Sequence, residues 1–239
     1  MEVNELEKMI RREEGLVFSS SFAALMRKVY VWMTLALVIT GVAAYGMAHS
    51  PNLLQLIYGS KLVFFGLIGV ELGLVFYVSA RLDRLSLSTA TLLFILYSAL
   101  NGVVLSSIFI VFAMPVIAKV FLITAGTFGA TAAVGYFTKR DLSSLGSLLL
   151  MGLIGLIIAT VVNLFLKSAM FDLILSYIGV AIFIGLTAFD SQKIKQMLAM
   201  QTDMGEGAQK IALMGALNLY LDFINLFLYL LRIFGRSNN

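Results

Sequence analysis

The stretch LNLYLDFINLFLYLLRIFG, residues 217–235, places the aspartate Asp222 in the middle of an apolar helix. A carboxylate at bilayer depth costs about 2.5–3.5 kcal/mol on insertion scales, so we expect it to face protein or water rather than lipid. Polar residues repeat here at helical intervals and form one stripe: Asn218, Asp222, Asn225, Tyr229 and Arg232. This polar stripe predicts the wall of a polar path, or a packed polar core, inside a membrane protein.

The composition of the whole chain indicates a membrane protein with several spans. Of its 239 residues, 60% are apolar and 13% are charged, and the mean hydropathy is +0.97. Each span needs about 20 apolar residues. Seven segments qualify and predict an all-α fold of seven transmembrane helices: 29–48, 62–80, 90–112, 115–138, 145–166, 173–189 and 211–234.

The chain is predicted to form one membrane domain. Residues 1–28 mix Glu and Arg in a helix-forming pattern, which we interpret as a short cytoplasmic helix ahead of the first span. Residues 29–235 form the transmembrane domain and residues 236–239 a short tail. No loop exceeds about 20 residues, so no separate catalytic domain is expected. The chain has no cysteine, which excludes disulfides and thiolate metal sites.

The net charge of +4 indicates topology rather than a nucleic-acid partner, because the basic residues lie in short loops without interleaved aromatic residues. When the segments alternate across the membrane, 12 of the 17 Lys and Arg residues fall on the side of the N-terminus. The positive-inside rule then predicts a cytoplasmic N-terminus, and we expect a bacterial cytoplasmic membrane. Seven spans would put Arg232 and Arg236 outside, so a re-entrant last helix stays open as an alternative.

A second aspartate, Asp190, ends the sixth span in the sequence TAFDSQKIK, residues 187–195. A carboxylate followed by two lysines is commonly a solvated helix boundary, and that interpretation stays open. If Asp190 instead faces Asp222 in a poorly solvated space, the two groups cannot both ionise cheaply and share one proton. Such a pair would be a pH-sensitive latch.

Glu71 lies centrally in the second span, in the sequence GLIGVELG at residues 66–73. The small residues Gly69 and Gly73 let another helix approach closely, so Glu71 is expected to face a neighbouring helix. Arg232 is the expected counter-charge. The alternative is a neutral Glu71 that is satisfied by a hydroxyl or amide group.

Two arginines, Arg81 and Arg84, follow the second span on the side of Asp190. Most such arginines only set topology. One of them could instead reach the aspartate pair and hold the latch shut. The intramembrane Asn101 is interpreted as a hydrogen-bonding contact between helices rather than as a site.

The C-terminal sequence GALNLYLDFINLFLYLLRIFG, together with TAFDSQKIK, closely resembles the transmembrane Bax inhibitor motif family, and the hydropathy profile is similar throughout. The resemblance implies seven helices, the last enclosed by the other six, and a calcium leak governed by pH through two aspartates. Those positions match Asp190 and Asp222. The family's arginine near the end of the second helix matches Arg81, favoured over Arg84, and Glu71 and Arg232 match polar positions of the family.

The first functional hypothesis is therefore a leak for calcium ions, without a resident cofactor, in which protons act on the aspartates as the gate. Carboxylates and amide oxygens suit Ca²⁺, and a weak interaction with Asp190 and Asp222 would permit conduction. The second hypothesis is a non-conducting regulator. Bacterial members resemble a protein that restrains a membrane-bound AAA protease, a role that residues 2–14 could serve. A proton-coupled transporter stays open, although no pair of broken helices is visible.

An intramembrane aspartyl protease is the remaining hypothesis, since such enzymes also place one aspartate on each of two neighbouring helices. Their Tyr-Asp and Gly-x-Gly-Asp motifs are absent, because Phe189 precedes Asp190 and Leu221 precedes Asp222. The chain also has no proline after Pro115. We therefore expect no enzymatic activity.

Overall fold

The computed structural model describes residues 3–201 and 203–235, and these residues are helical without any β-strand. The all-α class is therefore confirmed. A short 3-10 turn, Leu82–Arg84, follows the third helix. The α-helices of the described residues are α1 Val3–Ala48, α2 Pro51–Tyr58, α3 Lys61–Arg81, α4 Leu87–Leu105, α5 Ile108–Val111, α6 Met114–Phe137, α7 Ser143–Leu166, α8 Ala169–Ala199 and α9 Glu206–Gly235.

Seven segments of the structure are long and apolar enough to cross a membrane, and they match the seven predicted spans. The first is Ser20–Ala48, and the third is Leu87–Val111, which joins α4 and α5. The others are α3, α6, α7, α8 and α9. The tail predicted at residues 236–239, with Arg236, lies outside the described residues.

Helix α1 is unbroken from Val3 to Ala48, so the expected short N-terminal helix and the first span are one element. The boundary expected at residue 28 is not a break in the chain. No proline occurs before Pro51, so nothing removes a backbone donor or forces a kink. The charged and apolar parts of its sequence therefore share one helical backbone.

The third span is interrupted at Ser106, where α4 ends and α5 begins two residues later. In a membrane, backbone groups freed by such a break need partners from the protein. Tyr58 of α2 supplies them, because its hydroxyl group lies 3.0 Å from the carbonyl oxygen of Val104 and 3.1 Å from the backbone nitrogen of Ser107. The predicted single span is thus two helices joined by a satisfied turn.

Helix α9 is the most buried of the seven spans. Of the residues in its most apolar window, 67% are buried, compared with 6–39% in the other spans. It packs most extensively on α8, then on α1, α6 and α4, whereas α3 packs mainly on α4 and α7 mainly on α8. The structure thus gives direct packing of four spans around α9.

The alternative of a re-entrant last helix is not what the structure contains. Helix α9 is continuous over 30 residues, which corresponds to about 45 Å and exceeds the hydrocarbon core of about 30 Å. A re-entrant segment needs a turn within the membrane. The described part of α9 has none.

Close packing of α6 on α8 depends on glycine at residue 135. A Cβ atom built on Gly135 would overlap the backbone carbonyl group of Ala188, which cannot move aside as a side chain can. Gly126, on the same helix, has no heavy atom within 4 Å of such a Cβ position. These two glycines provide a matched test of the α6–α8 contact.

We expect Gly135→Ala to lower the free energy of unfolding by about 1–3 kcal/mol, because the added methyl group forces α6 and α8 apart. Gly126→Ala should be neutral or slightly stabilising, since it only improves helix propensity. Thermal unfolding in detergent would measure both. Equal unfolding temperatures for the two variants would contradict the packing described for Gly135.

Candidate functional site

The polar stripe of α9 borders a partly open cavity of about 400 Å³ between α7, α8 and α9. Helix α7 contributes an apolar wall that includes Leu150 and Ile157. Arg232, the last member of the stripe, lies outside the lining and stacks on Tyr229 instead, 5.2 Å from the ring centroid. The polar side chains of the lining are Asp190, Lys193, Asn218, Asp222, Asn225 and Tyr229.

The structure brings Asp190 and Asp222 together at this cavity. Their carboxyl groups, one from α8 and one from α9, lie within hydrogen-bonding reach of each other. Asp222 is only 5% exposed, and its Oδ2 atom has no partner among the described residues. Two carboxyl groups can hydrogen-bond only if one carries a proton. The arrangement is therefore suited to holding a single proton between two acids.

The cation at this cavity is Lys193 rather than an arginine. Lys193 lies one helical turn after Asp190 and lines the same cavity, with its amine 5.7 Å from the Phe189 ring centroid. Arg81 and Arg84 are both exposed, and within residues 3–201 and 203–235 neither forms a salt bridge. The expected arginine partner of the latch is not observed, because neither Arg81, on α3, nor Arg84, in the 3-10 turn that follows it, lines the cavity.

Glu71 is paired with an amide, not with Arg232. The Nδ2 atom of Asn101 on α4 donates to the Oε1 atom of Glu71 across 2.5 Å, and both side chains are buried. The expected Glu71–Arg232 pair is therefore absent, and the alternative of an amide partner is the one observed. Asn101 acts as the interhelical contact expected from the sequence. Its Oδ1 atom is buried without a partner in the described part of the chain.

The opposite side of α9 is fixed by a second buried hydrogen bond. The hydroxyl groups of Tyr220 and Thr40 lie 2.7 Å apart, and Thr40 donates to the backbone oxygen of Ser98 across 2.8 Å. The Tyr220 ring also makes edge contacts with Phe94 and Tyr97. Helix α9 is thus held to α1 and α4 by specific contacts, while its stripe faces an open space.

Helix α8 is fixed on its other side, next to Asp190. Ser191 donates to the backbone oxygen of Ala132 on α6 across 2.9 Å. The amide of Gln192 donates to the backbone oxygen of Arg140 and accepts from the backbone nitrogen of Leu142, each at 2.8 Å. These contacts hold the end of α8 on α6 and on the loop that follows it.

The chain is similar to known proteins over most of its length. The family model described as inhibitor of apoptosis-promoting Bax1 matches residues 23–239. The chain belongs to the Bax inhibitor family. Among its relatives is the inner membrane protein YbhL of Escherichia coli strain K12, which is 48% identical over 211 residues, 88% of this chain and 90% of YbhL.

Two further relatives are similar over still more of the chain. A protein of Borreliella burgdorferi described as uncharacterized is 42% identical over 231 residues, 97% of this chain and 98% of its own length. Uncharacterized protein RP147 of Rickettsia prowazekii is 44% identical over 226 residues, 93% of each chain. With seven apolar helices and these relatives, the chain is a multi-pass membrane protein.

Sequence reasoning missed one side chain of the cavity, Lys193, and the hydrogen-bonded pair on the opposite side of α9, Tyr220 and Thr40. Lys193 could have been found, because a residue three positions after Asp190 shares its helix face. Tyr220 gave a weaker signal, since a buried tyrosine hydroxyl group needs a partner. Nothing in the sequence identifies Thr40 as that partner, because the pairing joins residues 180 positions apart.

We expect Asn101→Leu to lower the free energy of unfolding by about 1–3 kcal/mol, because it leaves the buried Glu71 carboxyl group without its partner. The double variant Glu71→Leu/Asn101→Leu should recover part of this loss, since it removes both polar groups. Thermal unfolding of these two variants and of the single variant Glu71→Leu in detergent would measure the coupling. Strictly additive effects would contradict a Glu71–Asn101 hydrogen bond.

Proposed function

We propose that this Bax inhibitor family member is a pH-sensitive calcium leak and that the Asp190–Asp222 pair is its gate. The observation that supports this proposal is the placement of the two carboxyl groups, from different helices, at one cavity that also has amide side chains in its lining. Acids buried in a membrane protein are costly and commonly mark an ion or proton path. Here, both acids border the same space.

The oxygen atoms of the side chains that line the cavity suit weak binding of a hard cation. Asp190, Asp222, Asn218 and Asn225 all line it, and Ca²⁺ prefers carboxylate and amide oxygens. The described residues contain no cluster of three or more acidic or histidine side chains that would form a tight metal site. Weak binding favours a leak, because an ion must leave the site as readily as it enters.

Protonation would act on this site through the balance of charge. With one shared proton, the aspartates attract each other and α8 stays against α9. When both are ionised, they repel each other and favour separation of the helices or entry of a cation. The Lys193 amine moderates this repulsion from one side of the cavity. The gate thus combines a proton switch with a movable contact between two helices.

The proposed setting is a bacterial cytoplasmic membrane with the N-terminus in the cytoplasm. The excess of basic residues on that side supports the orientation. By this orientation, Asp190 and Lys193 lie near the cytoplasmic end of α8. Cytoplasmic pH would then act directly on the gate.

Calcium flux into dye-loaded proteoliposomes, scanned from about pH 5 to 8, tests the proposal. We expect a pH-dependent flux in the wild type and a flat pH profile in both Asp190→Asn and Asp222→Asn, because neither variant can share a proton between two acids. Asp203→Asn is the matched control. Asp203 lies in the loop between the same two helices, where its carboxylate accepts from the backbone nitrogen of Gly205, a bond that an amide oxygen can also accept.

An unchanged pH profile in both cavity variants would contradict the gate. No flux above that of empty vesicles at any pH would contradict the leak itself. In that case the regulator, which would bind a membrane-bound AAA protease or another membrane partner, becomes the better explanation. Helix α1 favours this second candidate, because it continues unbroken for 17 residues ahead of its apolar span.

Deletion of residues 1–14 separates the two functions. For a leak, we expect calcium flux and its pH dependence to be retained, because the cavity is built from α7, α8 and α9. For a regulator, partner binding should be lost while the membrane part still folds. Loss of flux in a deletion variant that keeps the wild-type unfolding temperature would contradict the placement of the gate at the cavity.

A further inference from the structure

A second cavity, of about 450 Å³, lies between α1 and α6, on walls that do not include the aspartate pair. This groove has the volume of a small-molecule site. Helices α1 and α6 pack on α9 and on other neighbours rather than extensively on each other, which leaves the gap. Its lining consists of Met26, Arg27, Tyr30 and Met33 from α1 and Phe128, Gly129, Ala132, Ala133, Tyr136 and Phe137 from α6.

The groove carries positive charge at one end. Arg27 is exposed, lines the groove and forms no salt bridge within the described part of the chain. No acidic residue is among its lining residues. The exposed Lys139 follows two positions after Phe137, at the end of the same wall. The neighbouring Lys28 is engaged elsewhere, because its amine donates to Gln209 across 2.7 Å.

The position of the groove corresponds to one leaflet of the bilayer. Along α1, Arg27 and Met33 are separated by about 9 Å, and along α6, Phe128 and Phe137 are separated by about 13 Å. Half of a hydrocarbon core is about 15 Å. Arg27 and Lys28 stand immediately before the apolar run that begins at Val29, so we expect the charged end at headgroup level and the apolar part at acyl-chain depth.

We propose that this groove binds an anionic phospholipid. The phosphate group is bound by the Arg27 guanidinium, and one acyl chain lies between α1 and α6 against Met33 and Phe128. Guanidinium groups bind phosphate through paired hydrogen bonds, and basic pockets between transmembrane helices bind anionic headgroups. Gly129 and Ala133 leave space for the chain.

The α6 wall of the groove is preformed. Behind it, the backbone oxygen of Ala132 accepts from Ser191, and that of Tyr136 accepts from the Lys195 amine across 2.7 Å. The Lys195 amine also lies 5.0 Å from the Tyr136 ring centroid. These contacts hold α6 on α8, so the gap is not closed by movement of α6 towards α1.

Native mass spectrometry of the full chain in a neutral detergent, titrated with phosphatidylglycerol or with phosphatidylcholine, tests this site. We expect the wild type to prefer phosphatidylglycerol. Arg27→Gln should lower its affinity for phosphatidylglycerol about fivefold and leave phosphatidylcholine unchanged, because a single basic residue contributes about that factor at a membrane surface. Arg27→Lys should keep most of the preference.

Two matched pairs of variants separate the groove from general surface charge and bulk. Arg84→Gln removes an exposed arginine that does not line the groove, and it should have no effect. Gly129→Leu fills the groove, since no heavy atom lies within 4 Å of its Cβ position, and it should weaken phosphatidylglycerol binding. Gly155→Leu, equally unobstructed but on α7, should not.

Equal affinity of the wild type for the two lipids would overturn the proposal. So would equal losses in Arg27→Gln and Arg84→Gln, or unchanged binding in both Arg27→Gln and Gly129→Leu at wild-type unfolding temperatures. The measurement involves no ion flux, so its outcome is independent of the proposed leak.

Discussion

The fold depends on one constraint, that an acid in the middle of an apolar helix must be satisfied within the protein. Asp222 is 5% exposed and is carried by the most buried of the seven spans. Because lipid offers no partner for a carboxyl group, α9 must lie inside the bundle and the stripe must face a polar space. Helix α8 then supplies the second acid, Asp190, and α7 closes the cavity with apolar side chains.

The two sides of α9 differ in a way that suits a gate. On one side, Tyr220 is hydrogen-bonded to Thr40 and packed between Phe94 and Tyr97, so α9 is fixed to α1 and α4. On the other side, the stripe borders a cavity of about 400 Å³. There Asp222 of α9 lies beside Asp190 of α8. Any response to protonation should therefore occur between α8 and α9. Helices α1 and α4 would serve as the fixed frame.

The sequence predicted the spans, the stripe and the burial of Asp222, because all three depend on local periodicity and composition. It did not predict which side chains meet across helices. Glu71 was assigned Arg232 by charge and depth, whereas the structure pairs it with Asn101. Arg81 and Arg84 were assigned to the aspartates by membrane side and by the family resemblance, yet neither lines the cavity, and the cation there is Lys193. Depth can be read from a sequence, but the rotation of each helix about its axis is set by packing.

The central claim is that Asp190 and Asp222 hold one proton between them, and infrared spectroscopy tests it most directly. In a Glu71→Gln background, which removes the other buried acid, the spectra would be recorded over a pH titration with and without Asp222→Asn. A shared proton predicts a carboxylic-acid carbonyl band that titrates with pH, shifts in deuterated water and disappears in Asp222→Asn. A band that is absent at every pH, or one that is unchanged by Asp222→Asn, would contradict it.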